Sequence, residues 1–168
     1  MSATRVIQPV LGLVTLRAGP QDLPFSTGLM GAAIALTAAI NIPVIQRFTP
    51  DTSPLLQIGL LAAYNLIFLA IALWLRGHTP RFVQSATALF ATDAVISMAG
   101  LPILLLIGRP DEATALGALA FLALLVWNIA VVNHILRAAL AMTGPLSLGI
   151  TLAYVFGGSA FVRMASGA

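Results

Sequence analysis

Between Arg81 and Arg109 the chain reads FVQSATALFATDAVISMAGLPILLLIG (residues 82–108), a run with a single ionisable side chain, Asp93. About 20 apolar residues in a helix cross roughly 30 Å of hydrocarbon, so this run reads as a membrane span. An acid near the bilayer centre costs about 2.5–3.5 kcal/mol on insertion scales, so its presence asks for an explanation.

Outward from this run lie four more of the same kind, at about 25–45, 54–75, 113–138 and 146–162. The links between them, Pro50-Asp51-Thr52-Ser53-Pro54, Arg76-Gly77-His78-Thr79-Pro80-Arg81, Gly108-Arg109-Pro110-Asp111-Glu112 and Thr143-Gly144-Pro145, join proline to glycine, charge or small polar residues. That chemistry stops one helix and starts the next, and links this short hold no soluble domain. The fifth run is short and carries Gly149, Gly157 and Gly158, which leaves a re-entrant or interfacial piece open as an alternative. The whole chain agrees: of 168 residues, 60% are hydrophobic and 8% charged, with mean hydropathy +1.02. Soluble domains are about 25% charged. The expected fold is all-α, a polytopic transmembrane helical bundle of about five spans over residues 25–168.

Residues 1–24 differ in kind. Ile7, Val10, Leu11 and Val14 recur at helical spacing between Arg5 and Arg17, over a stretch too short to span. An interfacial amphipathic helix followed by a linker fits this pattern. A cleaved secretory signal fits less well, because no small-x-small site follows.

All eight basic residues are arginines, spread singly, so the high pI of about 10.7 reflects scarce acids and not a nucleic-acid surface. With five spans, Arg5, Arg17, Arg76, Arg81 and Arg137 share the N-terminal side, and Arg47, Arg109 and Arg163 the other. Positive charge is retained on the cytoplasmic side, which places the N-terminus inside. Arg17, Arg76, Arg81 and Arg137 are expected at the membrane interface, and His134 beside headgroups or a helix end. The chain has no cysteine and two distant histidines, His78 and His134, so neither a thiolate site nor a metal site is expected.

Counted inward from the predicted cytoplasmic ends, Asn65 of the second span and Asn128 of the fourth fall at nearly the depth of Asp93. The three are expected to form a mid-membrane polar cluster, Asp93 accepting hydrogen bonds from one or both amides, with Thr92 and Ser97 in reach. One reading is polar glue that fixes helix rotation, at about 0.6 kcal/mol per interhelical bond. The other is a pocket in which a protonatable carboxylate exchanges a proton or holds a cation or polar headgroup. Small residues mark close-approach faces: Gly28 and Gly31 with Ala32, Ala35 and Ala39 in the first span, and Gly149, Ala153 and Gly157 in the fifth. Pro43 and Pro102 are expected to kink their spans. No catalytic triad, phosphate-binding loop, dinucleotide turn or metalloprotease motif is present, so no enzymatic activity and no cofactor is expected.

Leu16-Arg17-Ala18-Gly19-Pro20-Gln21-Asp22-Leu23-Pro24 before the first span, Arg81-Phe82-Val83-Gln84 opening the third, Ala88 to Asp93 and Leu101-Pro102 within it, and Trp127-Asn128 and Ile135-Leu136-Arg137 in the fourth form a familiar series. Together with the order of five spans, it resembles the small bacterial inner-membrane proteins grouped with the Yip (Ypt-interacting protein) superfamily. The resemblance implies a polytopic helical fold and a non-enzymatic role in membrane organisation, and it transfers no functional residue. Of the eukaryotic Asp-Leu-Tyr-Gly-Pro element only Asp22-Leu23-Pro24 has an echo, so no role in vesicle traffic is carried over.

The sequence therefore reads as an organising or accessory subunit of the bacterial inner membrane, in contact with lipids and with a larger membrane-protein partner or a second copy of itself. The alternative is a small carrier or channel centred on Asp93, Asn65 and Asn128. Five helices leave little room for a private aqueous path, so transport would imply a dimer.

Overall fold

Ser26, Ser53 and Thr114 each stand just before a long apolar run. In the computed structural model, which describes residues 4–48, 53–107 and 114–166, each hydroxyl accepts a first-turn N–H. Ser26 takes that of Leu29 at 3.2 Å, Ser53 that of Leu56 at 3.4 Å and Thr114 that of Gly117 at 3.1 Å. Such caps satisfy donors that the first turn leaves without helical partners. The helices they begin are α2 (Thr27–Phe48), α3 (Pro54–Leu75) and α5 (Ala115–Leu140), alongside α1 (Thr4–Val14), α4 (Phe82–Ile107) and α6 (Leu146–Ser166). Among the described residues there is no strand. Two short 3-10 turns, Pro20–Asp22 and Thr79–Arg81, precede α2 and α4.

Five of these helices, α2 to α6, are long and apolar enough to cross a membrane. They match the five runs to within a few residues. α6 is one continuous helix of 21 residues, not an interrupted piece. Pro43 and Pro102 lie inside α2 and α4. The readings of the links at Pro50, Asp51 and Thr52, and at Gly108 to Ala113 with Arg109, Pro110, Asp111 and Glu112, lie outside the described residues.

Large apolar side chains face outward: Leu55, Ile67, Trp74, Leu116, Val126 and Met164 are each more than half exposed. In water this surface would drive aggregation; lipid is its natural solvent. The architecture is that of a multi-pass membrane protein.

The helices do not pack in chain order. They close a ring in which α2 touches α4, α4 touches α5, α5 touches α6, α6 touches α3 and α3 touches α2. Half of the apolar window of α4 is buried, against 6% for α2, which makes α4 the most buried member of the ring. The buried apolar core fills one half of the ring: Leu69 and Leu73 late in α3, Ala86 and Leu89 early in α4, and Ile135, Leu136 and Leu140 late in α5.

α1 joins that core. Val10, Leu13 and Val14 are buried, while Ile7 and Leu11 stay about half exposed, so the apolar residues of α1 serve two faces. The chain after α1 turns through Leu16 at φ 61° and is held by side chains of the long helices. Trp127 Nε1 donates to the Val14 carbonyl at 2.9 Å, His134 Nε2 to Ala18 O at 2.8 Å, and Gln84 Nε2 to Leu23 O at 2.6 Å. Each bond supplies a partner to a carbonyl at the end of α1 or in the linker after it, as a low-dielectric setting demands.

Candidate functional site

Asp93 on α4, Asn65 on α3 and Asn128 on α5 line one cavity of about 180 Å³, with Tyr154 of α6 closing its side. Three polar positions on three helices thus line one cavity at the level that their matched depths imply. The expected direct bonds are not made: among the described residues no hydrogen bond joins Asp93 to Asn65 or Asn128. The space between them has room for several waters at ~30 Å³ each. Thr92 does not join either, because its hydroxyl donates back to Ala88 O at 2.7 Å, and Ser97 donates to Asn41 Oδ1 of α2 at 3.3 Å.

The cavity adjoins a larger cleft of about 610 Å³ between α2, α3, α4 and α6, and the two share Leu61, Asn65, Phe90, Asp93 and Val155 as walls. Thr37, Asn41, Gln57, Ser159 and Arg163 give the cleft its polar lining. Two bonds hold its α2 wall: Thr37 Oγ1 donates to the Phe90 carbonyl at 2.7 Å, and Asn41 Nδ2 to Thr37 O at 3.0 Å. Gln57 stands early in α3 and Arg163 late in α6, so the cleft runs toward the end of the bundle opposite α1. Toward the α1 end the way is filled by the packed apolar half. Aromatic rings brace the α3–α6 wall. Tyr64 donates to Ala153 O at 2.9 Å, its ring lies 5.7 Å from that of Phe161, and Phe68 meets Tyr154 edge-on at 5.4 Å.

The four glycines expected to pack helices divide. A Cβ on Gly157 would collide with the Tyr64 hydroxyl, so Gly157 does bring α6 onto α3. Among the described residues, a Cβ on Gly31 or Gly149 would meet nothing within 4 Å, and one on Gly28 only its neighbour Ser26, so these three pack against no other described helix. As close-approach faces these three positions do not serve packing within the described bundle: the α2–α4 seam runs through Ala33, Thr37 and Asn41, on another face.

The interface arginines also divide. Arg76 Nε donates to Leu140 O at 3.2 Å, and Arg81 Nη1 to Ala138 O and Ala139 O at 3.1 and 3.2 Å. Both therefore cap the C-terminus of α5, where cations are favoured by the helix dipole. Arg17 and Arg137 are exposed. Among the described residues there is no cluster of three metal-ligating side chains.

Tyr154, Thr37, Asn41 and Arg163 were not singled out in the sequence. A signal for three of them was present: Thr37 and Asn41, and Ser159 and Arg163, recur four apart, and so share a helix face on otherwise apolar spans. Tyr154 carries no such mark. No family model, no curated protein and no solved structure matches the chain.

Proposed function

We propose that the chain is a small proton-linked membrane carrier that binds a polar or cationic solute at mid-membrane, with Asp93 as its charged, proton-exchanging contact and Asn65, Asn128 and Tyr154 as hydrogen-bonding groups. The observation that carries this reading is the shared cavity of Asp93, Asn65 and Asn128, joined to a polar cleft that leads to one end of the bundle. Polar glue would bring the three side chains into direct contact, whereas here a space separates them. The cleft volume lies in the range of about 300–1,000 Å³ used for small ligands. With the arginine-rich end placed on the cytoplasmic side of a bacterial inner membrane, the N-terminus is cytoplasmic and the cleft faces the periplasm. The sealed end would have to loosen for release to the other side, and no chemical reaction is assigned to the chain.

Dicyclohexylcarbodiimide, which couples to carboxyls in apolar surroundings, tests the site, together with proton flux into liposomes loaded with pyranine. Wild-type protein is expected to take up one carbodiimide at Asp93 and to speed proton entry, and Asp93→Asn to do neither while folding normally. An unreactive Asp93 together with equal flux in the two proteins would sink the carrier reading.

The second reading, a Yip-like organising or accessory subunit, is favoured by one observation: Gly28, Gly31 and Gly149 lie open on the outer surface, where a larger membrane protein or a second copy could pack. Bulky residues at Gly31 and Gly149 would then break assembly in mild detergent while leaving the monomer's melting temperature unchanged.

A further inference from the structure

At the packed end of the bundle, away from Asp93, Ser85 is wholly buried and its hydroxyl has no hydrogen-bond partner. Buried polar groups are nearly always paired, and an exception points to a group that completes it. Its helix neighbours Thr87 and Thr92 pair by donating back to Val83 O and Ala88 O, at 2.7 Å each. Ser85 instead lines a pocket of about 300 Å³, together with Gln21, Arg81, Gln84 and the end of α5 at Ala138 and Ala139.

The charge of this pocket is one-sided. Arg81 spends Nη1 on the α5 carbonyls, which leaves the N–H groups of Nε and Nη2 for a ligand. Gln84 spends its amide N–H groups on Leu23 O and Gln21 O, and so fixes the linker as the pocket's outer wall. The nearest acid in sequence, Asp22, turns back to accept the Gly19 N–H at 2.7 Å and does not line the pocket. A guanidinium with unused donors, a free hydroxyl and no carboxylate in the wall together select an anion with several acceptor oxygens. Ser85 is the fourth residue of α4, about one helical turn (~5 Å) inside its start, the level at which phospholipid phosphates and glycerol lie.

We propose that this pocket binds a phosphate ester, whose phosphoryl oxygens accept from Arg81 and from the Ser85 hydroxyl. A phospholipid headgroup and a soluble phosphate ester offer the same chemistry. The site is separate from the Asp93 cavity, and its standing does not depend on the carrier reading.

The test uses the full chain purified and delipidated in maltoside detergent. Four probes are titrated against its unfolding temperature: inorganic phosphate, sn-glycerol 3-phosphate, phosphatidylglycerol and, as the lipid without phosphate, diacylglycerol. Phosphatidylglycerol is expected to stabilise the protein where diacylglycerol does not. Ser85→Ala is expected to weaken that binding about tenfold, the worth of a hydrogen bond to a charged group. Its unfolding temperature without ligand should not fall, because the deleted hydroxyl has no partner to lose. Arg81→Gln weakens binding further and lowers the ligand-free unfolding temperature as well, since the α5 carbonyls lose their donors. A response to sn-glycerol 3-phosphate or inorganic phosphate with the same dependence on Ser85 identifies a soluble ester, and one confined to phosphatidylglycerol identifies the lipid. Equal affinity of wild type and Ser85→Ala for every probe, or no stabilisation by any phosphate-bearing probe, would overturn the proposal.

Discussion

Gly157 and Gly31 are both glycines on apolar helices, and the bundle treats them in opposite ways. Gly157→Leu is expected to cost at least about 1–3 kcal/mol, because the new side chain displaces Tyr64 from its bond to Ala153. Gly31→Leu adds apolar surface facing lipid and should leave the monomer's melting temperature in detergent within error of wild type. Equal losses at the two positions would contradict the packing described. Sequence shows both as members of small-residue stripes and cannot separate them, since the difference lies in a tyrosine on another helix. Asp93 was legible for a different reason: one acid in an otherwise apolar run stands out without any knowledge of its neighbours. Asn65 and Asn128 followed from depth alone, because antiparallel helices of known rise fix which residues share a level. What depth could not give was the gap between them, because it depends on the lateral spacing of α3, α4 and α5 around the cavity.

Helix ends were legible as punctuation. Ser53, in the Pro50–Pro54 link, falls where a cap is found, and Gly77 closes α3 at φ +70° with His78 N–H returning to Leu73 O at 2.8 Å; the caps at Ser26 and Thr114 were not read from the sequence. α5 ends instead on Ala141 at φ +49°, with Met142 N–H bonded to Arg137 O at 3.0 Å, a closure that glycine performs more cheaply. Ala141→Gly is expected to stabilise the protein by up to about 1 kcal/mol, read as a higher melting temperature in detergent. α1 was legible as a helix but not in its partners. A short amphipathic segment ahead of a span suggests the membrane surface, and nothing in it announces that Trp127 and His134 will hold its C-terminal end and the linker that follows. Trp127→Phe keeps the ring and removes the N–H, so tryptic cleavage at Arg17 should quicken several-fold while α2 to α6 remain resistant. Unchanged cleavage would mean that apolar contacts of Val10, Leu13 and Val14 suffice to hold α1.

For the molecule as a whole, the linker after α1, the turn at His78 and the link at Thr143 gather at one end: Gln84 holds Leu23, and Arg76 and Arg81 reach the end of α5. Because the chain has no cysteine, single cysteines report sidedness without interference. Cysteines at Thr15, His78 and Thr143 should react with an impermeant maleimide only from the cytoplasmic face, and one at Ser159 only from the periplasmic face. Labelling of all four from one side would refute the proposed topology. The ring order also bears on how the protein is made. α3 leans on α6 through a tyrosine and a carbonyl that lie 89 residues apart in the chain, while its contact with the earlier α2 is slight. During synthesis α3 therefore enters the bilayer with Asn65 and Tyr64 facing lipid, and must wait for three more helices before its own wall is complete. Nascent chains halted before α6 would display those polar groups to the membrane, a mark by which insertion chaperones and membrane proteases could tell unfinished copies from finished ones.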